Sequence, residues 1–237
     1  MTTPKPDIPS RERLIFALDV PTLEEAQGLI ETLGDSVLFY KLGLEVFLSG
    51  HYFELLAELK SRGKNVFADL KLFDIPATVA GAVRQLARHE VDFCTVHGND
   101  GMLRAAVEAR GKVKILAVTA LTSLDQGDLD DLGFKCDPQA LVLSRARRAL
   151  AIGCDGVVSS GLEVPVLRRE VGHGLLAVCP GIRPVHNDDD QQRVVTPAQA
   201  IRYGADYLVV GRPIRSAPDP RQAAESIQAE IGAALSG

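Results

Sequence analysis

Short apolar runs alternate with amphipathic stretches along the whole chain. Eight of the runs have the length and the branched or aromatic side chains that are typical of buried strands. The stretches between them carry apolar residues every three or four positions, which is typical of helices that bury one face. The predicted strands are Leu14–Asp19, Leu38–Lys41, Asn65–Lys71, Asp92–His97, Val113–Thr119, Gly156–Ser159, Leu175–Cys179 and Tyr207–Val210.

One predicted helix extends from Pro138 to Ile152. The next residue is Gly153, and glycine commonly ends a helix because it accepts a left-handed backbone conformation. Ala140, Leu143, Ala146 and Leu150 are predicted to form one apolar stripe along this helix.

Strands that alternate with helices in this way favour a (β/α)8 TIM barrel, an α/β fold, built as a single domain over residues 1–237. An open, doubly wound sheet is the alternative. No linker-like segment interrupts the alternation. The polar, proline-containing residues 1–12 are predicted to form a flexible N-terminal extension.

Polar side chains collect where the predicted strands end. In a barrel the carboxyl ends of all strands meet at one rim, which is the active-site face. Strands that merely end in turns would more often stop at Gly, Asn or Pro. The polar residues therefore favour the barrel over the open sheet. They are Asp19, Lys41, Asp69, Lys71, His97, Thr122, Ser123, Arg183 and Arg212.

Composition and charge restrict the classes of function. The formal net charge is −5, so a general affinity for nucleic acid or for an anionic membrane is not expected. No stretch approaches about 18 consecutive apolar residues, and the first residues lack the apolar core of a signal peptide, which predicts a cytoplasmic protein without a membrane span. The four cysteines form no CxxC pair, so neither disulfides nor a zinc site are expected.

The segment DLKLFDIP, residues 69–76, carries the central chemical signal. Since alternate side chains of a strand share a face, Asp69 and Lys71 are predicted to point together into the barrel, where they must be paired or hydrated. A structural ion pair is one interpretation, and Asp74 is also a good N-cap for a following helix. Asp19 and Lys41 at the same rim favour a functional site, because stability alone would rarely concentrate so many charges there.

Two turns that contain glycine and arginine follow the last two predicted strands. They read PGIRP at residues 180–184 and GRP at residues 211–213. In barrels the loops after the seventh and eighth strands often bind phosphate, and arginine adds a two-pronged grip on its oxygens. The pattern predicts a phosphorylated ligand, and the polar stretch 184–195 is predicted to be a mobile lid over it.

Taken in order, these motifs resemble the signatures of the orotidine 5′-monophosphate decarboxylase family. The resemblance extends from about residue 14 to about residue 215, and DLKLFDIPAT at residues 69–78 is its most specific part. It implies a (β/α)8 homodimer that converts orotidine 5′-monophosphate to UMP and CO₂ in pyrimidine biosynthesis, without a cofactor or a metal. The other matching segments are residues 17–19, 41–43, 121–123, 180–184, 190–193 before Thr196-Pro197, and 211–213.

The resemblance also implies roles for individual residues. Lys71 would protonate C6 of the pyrimidine as CO₂ leaves, and Asp69 would lie against the substrate carboxylate. Lys41 would hold Asp69, while Asp74 and Thr78 would reach the site from the partner subunit. The residues implied in substrate binding are Asp19, Lys41, Asp69, Ile75, Thr78, Thr122, Ser123, Arg183, Gln191, Gly211 and Arg212.

Two other functions stay open. Sugar-phosphate decarboxylases and hexulose-phosphate synthases resemble this chain in a DxKxxD block but use Mg²⁺, and a non-catalytic barrel could bind a phosphorylated ligand without turnover. The continuation at residues 75–78, the LTS segment at 121–123 and the pairing of Gln191 with Arg212 favour the nucleotide enzyme. His97 is interpreted as a hydrogen-bonded structural residue.

Overall fold

The computed structural model describes residues 4–121, 123–184 and 195–236. Eight parallel strands form a closed barrel, in which each strand pairs with the next and the last pairs with the first. This closed order confirms the (β/α)8 barrel, and the open doubly wound alternative is wrong. The strands are β1 (Leu14–Ala17), β2 (Phe39–Leu42), β3 (Asn65–Leu72), β4 (Phe93–His97), β5 (Lys114–Val118), β6 (Gly156–Val158), β7 (Leu176–Cys179) and β8 (Tyr207–Val210).

Helices connect the strands and cover the outside of the barrel. No helix among the described residues is long and apolar enough to cross a membrane. Short 3-10 helices lie at Ser10–Glu12, Gly34–Ser36 and Gly161–Glu163. The α-helices are α1 (Leu23–Leu33), α2 (Leu44–Leu48), α3 (Tyr52–Ser61), α4 (Pro76–Arg88), α5 (Asp100–Ala109), α6 (Gln126–Asp131), α7 (Pro138–Ile152), α8 (Val164–Val171), α9 (Pro197–Arg202), α10 (Arg212–Arg215) and α11 (Pro220–Ser236).

The predicted strands agree with the observed ones to within two residues at either end. The largest difference is at β1, which ends at Ala17, so that Asp19 lies in the loop beyond it. The predicted flexible extension at residues 1–12 stays a prediction, although its last residues contact the barrel. Ile8 packs against the lower barrel interior, and Gln228 of α11 donates a hydrogen bond to the Arg11 carbonyl at 3.0 Å.

The buried face of α7 differs from the predicted stripe. The helix has the predicted bounds, and Gly153 ends it in the left-handed conformation as expected (φ 92°). However, Ala140 and Leu150 are exposed, and Leu143 is only partly buried. The helix carries apolar residues on more than one side, so packing against its neighbours decides which side is buried. The buried residues are Leu141, Val142, Ala146 and Ala149.

Three aspartates fasten the amino-terminal rim of the barrel. Asp92, Asp155 and Asp206 directly precede β4, β6 and β8. In each case Oδ2 accepts a backbone N–H from the preceding strand, at 2.7–2.9 Å, and a hydrogen bond from a basic side chain. We call these three arrangements the aspartate clamps. Their donors are Val66 and Lys60 for Asp92, Ile115 and Arg110 for Asp155, and Ala177 and Arg168 for Asp206.

Candidate active site

Aromatic rings fill the lower interior of the barrel and support the site. Four of them are at most 5% exposed and contact one another edge to face: Phe39, Phe67, Phe93 and Tyr207. Side chains two positions further along each strand share the same face, so they form the next layer toward the carboxyl-terminal rim. The residues at these positions are Lys41, Asp69, Thr95 and Val209. The strands thus place charged groups directly above an apolar floor.

Two lysines and two aspartates form a connected array in this layer. Lys41 Nζ lies 3.0 Å from Asp19 Oδ1 and 3.6 Å from Asp69 Oδ2. Lys71 Nζ lies 2.9 Å from the other oxygen of the same carboxylate, Asp69 Oδ1. The side chain of Asp69 is 13% exposed, whereas that of Lys71 is 34% exposed. Asp69 is therefore the buried centre of the array, and the Lys71 ammonium has access to the space above it.

Opposing effects act on the Asp69 carboxyl. Burial raises its pKa, because the ionised form is poorly solvated, while the charges of Lys41 and Lys71 lower it. Hydrogen bonds from Lys71 and Thr95 lower the pKa further. The net pKa of Asp69 lies below its ordinary value, so the carboxylate is ionised at neutral pH and compensates the lysine charges.

A bulge in β3 determines how Lys71 enters the site. Ala68 pairs with Cys94 and Leu72 pairs with Val96, so three residues of β3 lie opposite one residue of β4. Lys71 has φ of 46°, in the left-handed region that residues other than glycine rarely adopt. Bulges redirect side chains, and strained backbone conformations concentrate at functional sites. The bulge and the left-handed Lys71 therefore indicate that residues 69–71 belong to a functional site.

A cavity of about 140 Å³ lies above the aromatic floor. Lys41, Asp69 and Lys71 form its charged wall. A small space with one charged wall and otherwise apolar walls fits a planar ring that carries a charged substituent. The apolar walls are formed by Phe67, Val118, Ala120, Leu121, Val158, Pro180 and Val209.

A second cavity, of about 260 Å³, adjoins the first, and Lys41, Pro180 and Val209 line both. Asp19 also faces this space. Guanidinium groups around a cavity bind phosphate through paired hydrogen bonds. The phosphate-binding candidates that line it are Arg183, Gly211, Arg212 and Arg215.

The DIPAT segment after β3 lies away from the array within this chain. Asp74 and Thr78 are exposed, and Ile75 is 65% exposed. The N-cap interpretation of Asp74 is wrong, because Ile75 takes that position and Asp74 Oδ1 accepts the Ile75 N–H at 2.6 Å. The residue before a proline avoids the helical conformation, which makes Ile75 the boundary before Pro76. None of the three predicted site residues in this segment lines either cavity.

Three further predicted site residues are not brought to the cavities by the described structure. Ser123 is exposed and lines neither cavity, although Leu121 lines the smaller one. Thr122 and Gln191 lie outside the described residues, as do residues 185–194 of the predicted lid.

His97 packs against an aromatic ring at the rim. Its ring centroid lies 4.9 Å from that of Phe73. No side-chain hydrogen bond to His97 is found in the described part of the chain, so the predicted hydrogen-bonded role is not observed there. Burial lowers the pKa of His97, and the positive charges of Arg145 and Lys71 lower it further. The imidazole is therefore neutral at pH 7.

Three residues of the site were not predicted from the sequence. Thr95 contacts Asp69 and the backbone of Lys71. Its signal was a polar residue on the inward face of an apolar strand, two positions after Phe93. Arg215, one helical turn after Arg212, had no motif to distinguish it. The third is Gly43.

Gly43 leaves room for the ion pair between Asp19, in the loop after β1, and Lys41 of β2. A Cβ atom at this position would lie 2.9 Å from Asp19 Oδ1 and 3.1 Å from Lys41 Nζ. The first distance is shorter than a side-chain carbon normally shows and the second is tighter than most, so a larger residue would displace one or both side chains of the pair. Residues 41–43 match a family segment in the sequence, but no local pattern predicts a role for the glycine.

A family model and two relatives of known name all point to the same protein family. Residues 12–227 match the family model described as Orotidine 5'-phosphate decarboxylase / HUMPS family. The chain is 64% identical over 226 residues to the orotidine 5′-phosphate decarboxylase of Methylococcus capsulatus, covering 94% of this chain and 93% of that protein. It is 55% identical over 229 residues to that of Xanthomonas axonopodis pv. citri, covering 95% and 94%.

A solved structure agrees with these matches. The crystal structure of orotidine 5′-phosphate decarboxylase from Lactobacillus acidophilus aligns with a TM-score of 0.83 and 35% sequence identity, covering 93% of this chain and 99% of that chain. The residues matched by the family model include all those that line the two cavities. By sequence and by fold, this chain belongs to the orotidine 5′-phosphate decarboxylase / HUMPS family.

Proposed function

We propose that this protein decarboxylates orotidine 5′-monophosphate to UMP. The observation that carries the proposal is the Lys71 ammonium, paired with Asp69 on the wall of the smaller cavity. That cavity adjoins the arginine-lined one through Lys41. A proton donor thus faces one end of an elongated pocket, and phosphate-binding groups face the other. The decarboxylase names of the relatives at 64% and 55% identity support the same reaction.

In the proposed complex the nucleotide spans both cavities. The pyrimidine fills the smaller one, and the ribose hydroxyls contact Asp19 and Lys41. The phosphate lies against Arg183, Gly211 and Arg212. Because the phosphate is remote from the reacting carbon, its binding energy can orient the base and exclude water from it. Contacts of the nucleotide with Ile75, Thr122, Ser123 and Gln191 are also proposed, and these rest on the family resemblance alone.

The chemistry needs a stabilised carbanion and a proton. The bond between C6 and the carboxylate carbon breaks, CO₂ leaves, and the electron pair stays on C6. The Lys71 ammonium stabilises this pair as a fixed charge and transfers its proton to form the C6–H bond. The resulting amine regains a proton from water. Asp69 repels the substrate carboxylate, and this repulsion weakens as the carboxylate charge is lost in the transition state.

The charged array is a poor fit for the Mg²⁺-dependent alternative. The Lys41 ammonium lies between Asp19 and Asp69, where it already compensates both carboxylates. Mg²⁺ prefers carboxylate oxygens and water in an octahedral arrangement, and a lysine at that position competes with it. Among residues 4–121, 123–184 and 195–236, no group of three or more His, Cys, Asp or Glu side chains could hold a metal ion.

One spectrophotometric experiment tests the proposed function. Purified protein mixed with orotidine 5′-monophosphate should cause a steady fall in orotidylate absorbance, at the same rate with and without a chelator. Arrest by the chelator would favour the Mg²⁺-dependent group. Nucleotide binding without any fall in absorbance would contradict the decarboxylase proposal and favour a non-catalytic barrel.

The proposal includes a homodimer in which Asp74 and Thr78 complete the partner's site. Two observations on the structure and the family resemblance support it. Asp74 and Thr78 are exposed, and Asp74 forms no ion pair within the described residues. Phe73 and Ile75 beside them are 63% and 65% exposed, an apolar surface that a second copy would cover. The family resemblance implies the same assembly.

Mixed dimers test this arrangement. Lys71→Ala and Asp74→Asn should each inactivate the homodimer. If Asp74 acts across the interface, a dimer with one chain of each variant contains one intact site. Random exchange of subunits should then restore about a quarter of the wild-type activity, because half of the dimers are mixed and one of their two sites is intact. No recovery, with exchange verified by differently tagged chains, would place Asp74 in its own subunit's site.

A further inference from the structure

The β3 bulge leaves Thr95 of β4 alone opposite residues 69–71. Its hydroxyl O–H donates a hydrogen bond to Asp69 Oδ1 at 3.0 Å, and its oxygen accepts one from the Lys71 backbone N–H, also at 3.0 Å. The same Asp69 oxygen accepts the hydrogen bond of the Lys71 ammonium at 2.9 Å. One side chain thus contacts both ends of the segment that carries the acid and the ammonium.

The bulge itself explains why this hydroxyl is needed. In a regular parallel ladder the backbone N–H of Lys71 would donate to a carbonyl of the neighbouring strand. The extra residues interrupt the ladder, and a buried N–H without an acceptor is costly. Thr95 supplies the missing acceptor. The Lys71 N–H can only donate and the ionised Asp69 carboxylate can only accept. The Thr95 oxygen therefore accepts from Lys71, and its O–H donates to Asp69.

We infer that Thr95 is a positioning residue, which holds the Asp69 carboxylate and the left-handed Lys71 backbone in the geometry that proton transfer requires. The inference rests on the proposed function. Thr95 is fully buried and lines neither cavity, so it acts on the substrate only through Asp69 and Lys71. Its hydroxyl, rather than its size, carries the role, since valine would fill the same volume without either hydrogen bond.

The expected consequence is a loss in turnover rather than in binding. Thr95→Val should lower kcat at least about 10-fold, the usual effect of losing a hydrogen bond to a charged group. The KM for orotidine 5′-monophosphate should stay near that of the wild type, because the arginines at the other end of the pocket are unaffected. The hydrogen bond from Thr95 lowers the pKa of Asp69, so its loss in Thr95→Val should raise that pKa. The acid limb of the kcat profile should therefore move to higher pH in the variant.

The experiment compares four variants with the wild type by steady-state kinetics from acid to neutral pH, with thermal unfolding measured in parallel. Thr95→Ser keeps the hydroxyl and should restore kcat and the acid limb. Thr95→Cys, with a weak hydrogen-bonding group, should resemble Thr95→Val and replaces it if the valine variant does not fold. Thr119→Val is the matched control, because Thr119 is equally buried but its hydroxyl donates to the Val158 carbonyl. It should leave the acid limb and kcat near wild type.

Two results would overturn the inference while the wild type is active. In one, Thr95→Val and Thr95→Cys keep the kcat and the acid limb of the wild type. In the other, Thr119→Val and Thr95→Val lower kcat and thermal stability alike, which would make the role purely structural. A wild-type protein that does not decarboxylate the substrate would instead refute the proposed function, and the inference with it.

Discussion

At the amino-terminal rim of the barrel, the carboxylates of Asp92, Asp155 and Asp206 each accept a backbone N–H together with a basic side chain. At the carboxyl-terminal rim, Asp19 and Asp69 accept no backbone N–H from any described residue. Their partners there are Lys41, Lys71 and the Thr95 hydroxyl. Both rims therefore combine aspartates with basic residues. At the amino-terminal rim the aspartates also accept backbone N–H groups, whereas at the carboxyl-terminal rim all their donors among the described residues are side chains.

This difference concerns which charged groups are available to a ligand. An aspartate clamp joins two neighbouring strands, because one carboxylate oxygen accepts both a backbone N–H and a basic side chain. The array around Asp69 borders a cavity, and its groups are completed by other side chains. Such groups can exchange partners when a charged substrate enters. The type of hydrogen-bond partner, rather than the number of ion pairs, distinguishes the proposed active rim from the opposite rim.

The largest expected effect comes from removing a lysine at the active rim. Lys71→Ala should lower kcat at least about 1,000-fold, because both charge stabilisation and the proton donor are lost. Binding of UMP should persist in a titration, since the phosphate contacts are intact. Lys60→Ala, in a clamp at the opposite rim, is the control and should leave kcat unchanged. Substantial turnover by the Lys71 variant would mean that Lys71 is not the proton donor.

Breaking the most buried clamp should affect stability instead. Asp206 is fully buried, and its partner Arg168 is 12% exposed. Asp206→Ala should lower the free energy of unfolding by about 3 kcal/mol, because the Arg168 charge and the Ala177 N–H lose their acceptor. Urea denaturation measures this change, and kcat per folded molecule should equal that of the wild type. A loss of kcat at unchanged stability would contradict the division between the two rims.

A more exposed clamp should give a smaller change of the same kind. The side chains of Asp155 and Arg110 are 25% and 30% exposed, so water can replace part of what each loses. Asp155→Ala should therefore lower the free energy of unfolding by about 1 kcal/mol. Measurement in the same urea series as Asp206→Ala gives the comparison directly. Equal losses of unfolding free energy at the two positions would show that burial does not determine how much each clamp contributes to stability.

The smallest expected effect is a change in the pH dependence of stability. The pKa of Asp69 is lowered in the folded protein, so its ionisation contributes stability above the ordinary aspartate pKa of 3.8. That contribution is lost as the pH falls through the lower, folded-state pKa. Urea midpoints measured from pH 6 downward should therefore fall more steeply for the wild type than for Asp69→Asn. Parallel curves would show that the lysines do not lower this pKa.

Much of this molecule could be predicted from the sequence, because its strands follow simple patterns. The eight apolar runs gave strand positions to within two residues, and strand alternation put Asp69 and Lys71 on one face. The positions of Arg183 and Arg212 after the last two strands predicted the arginine-lined cavity. These predictions depend on the local period of the chain and on where strand ends meet, both of which are visible in one sequence.

The remaining features depend on contacts between distant residues. The bulge at residues 69–71 and the φ of Lys71 arise from pairing with β4, which no local pattern records. Thr95 owes its importance to that bulge, so its inward position in the strand does not by itself indicate that it contacts Asp69 and the Lys71 backbone. The buried side of α7 was likewise decided by its neighbours. The aspartate clamps repeat in space, but the aspartate and the basic residue of each clamp lie 32 to 45 positions apart and form no sequence repeat.

The wall shared by the two cavities has a consequence for inhibitor design. Lys41, Pro180 and Val209 line both spaces, so a ring bound in one and an anion bound in the other would contact the same three residues. Two weak fragments found independently, one for each space, could be joined by a short rigid connector. Their combined affinity would exceed that of either fragment, because binding of the first raises the local concentration of the second.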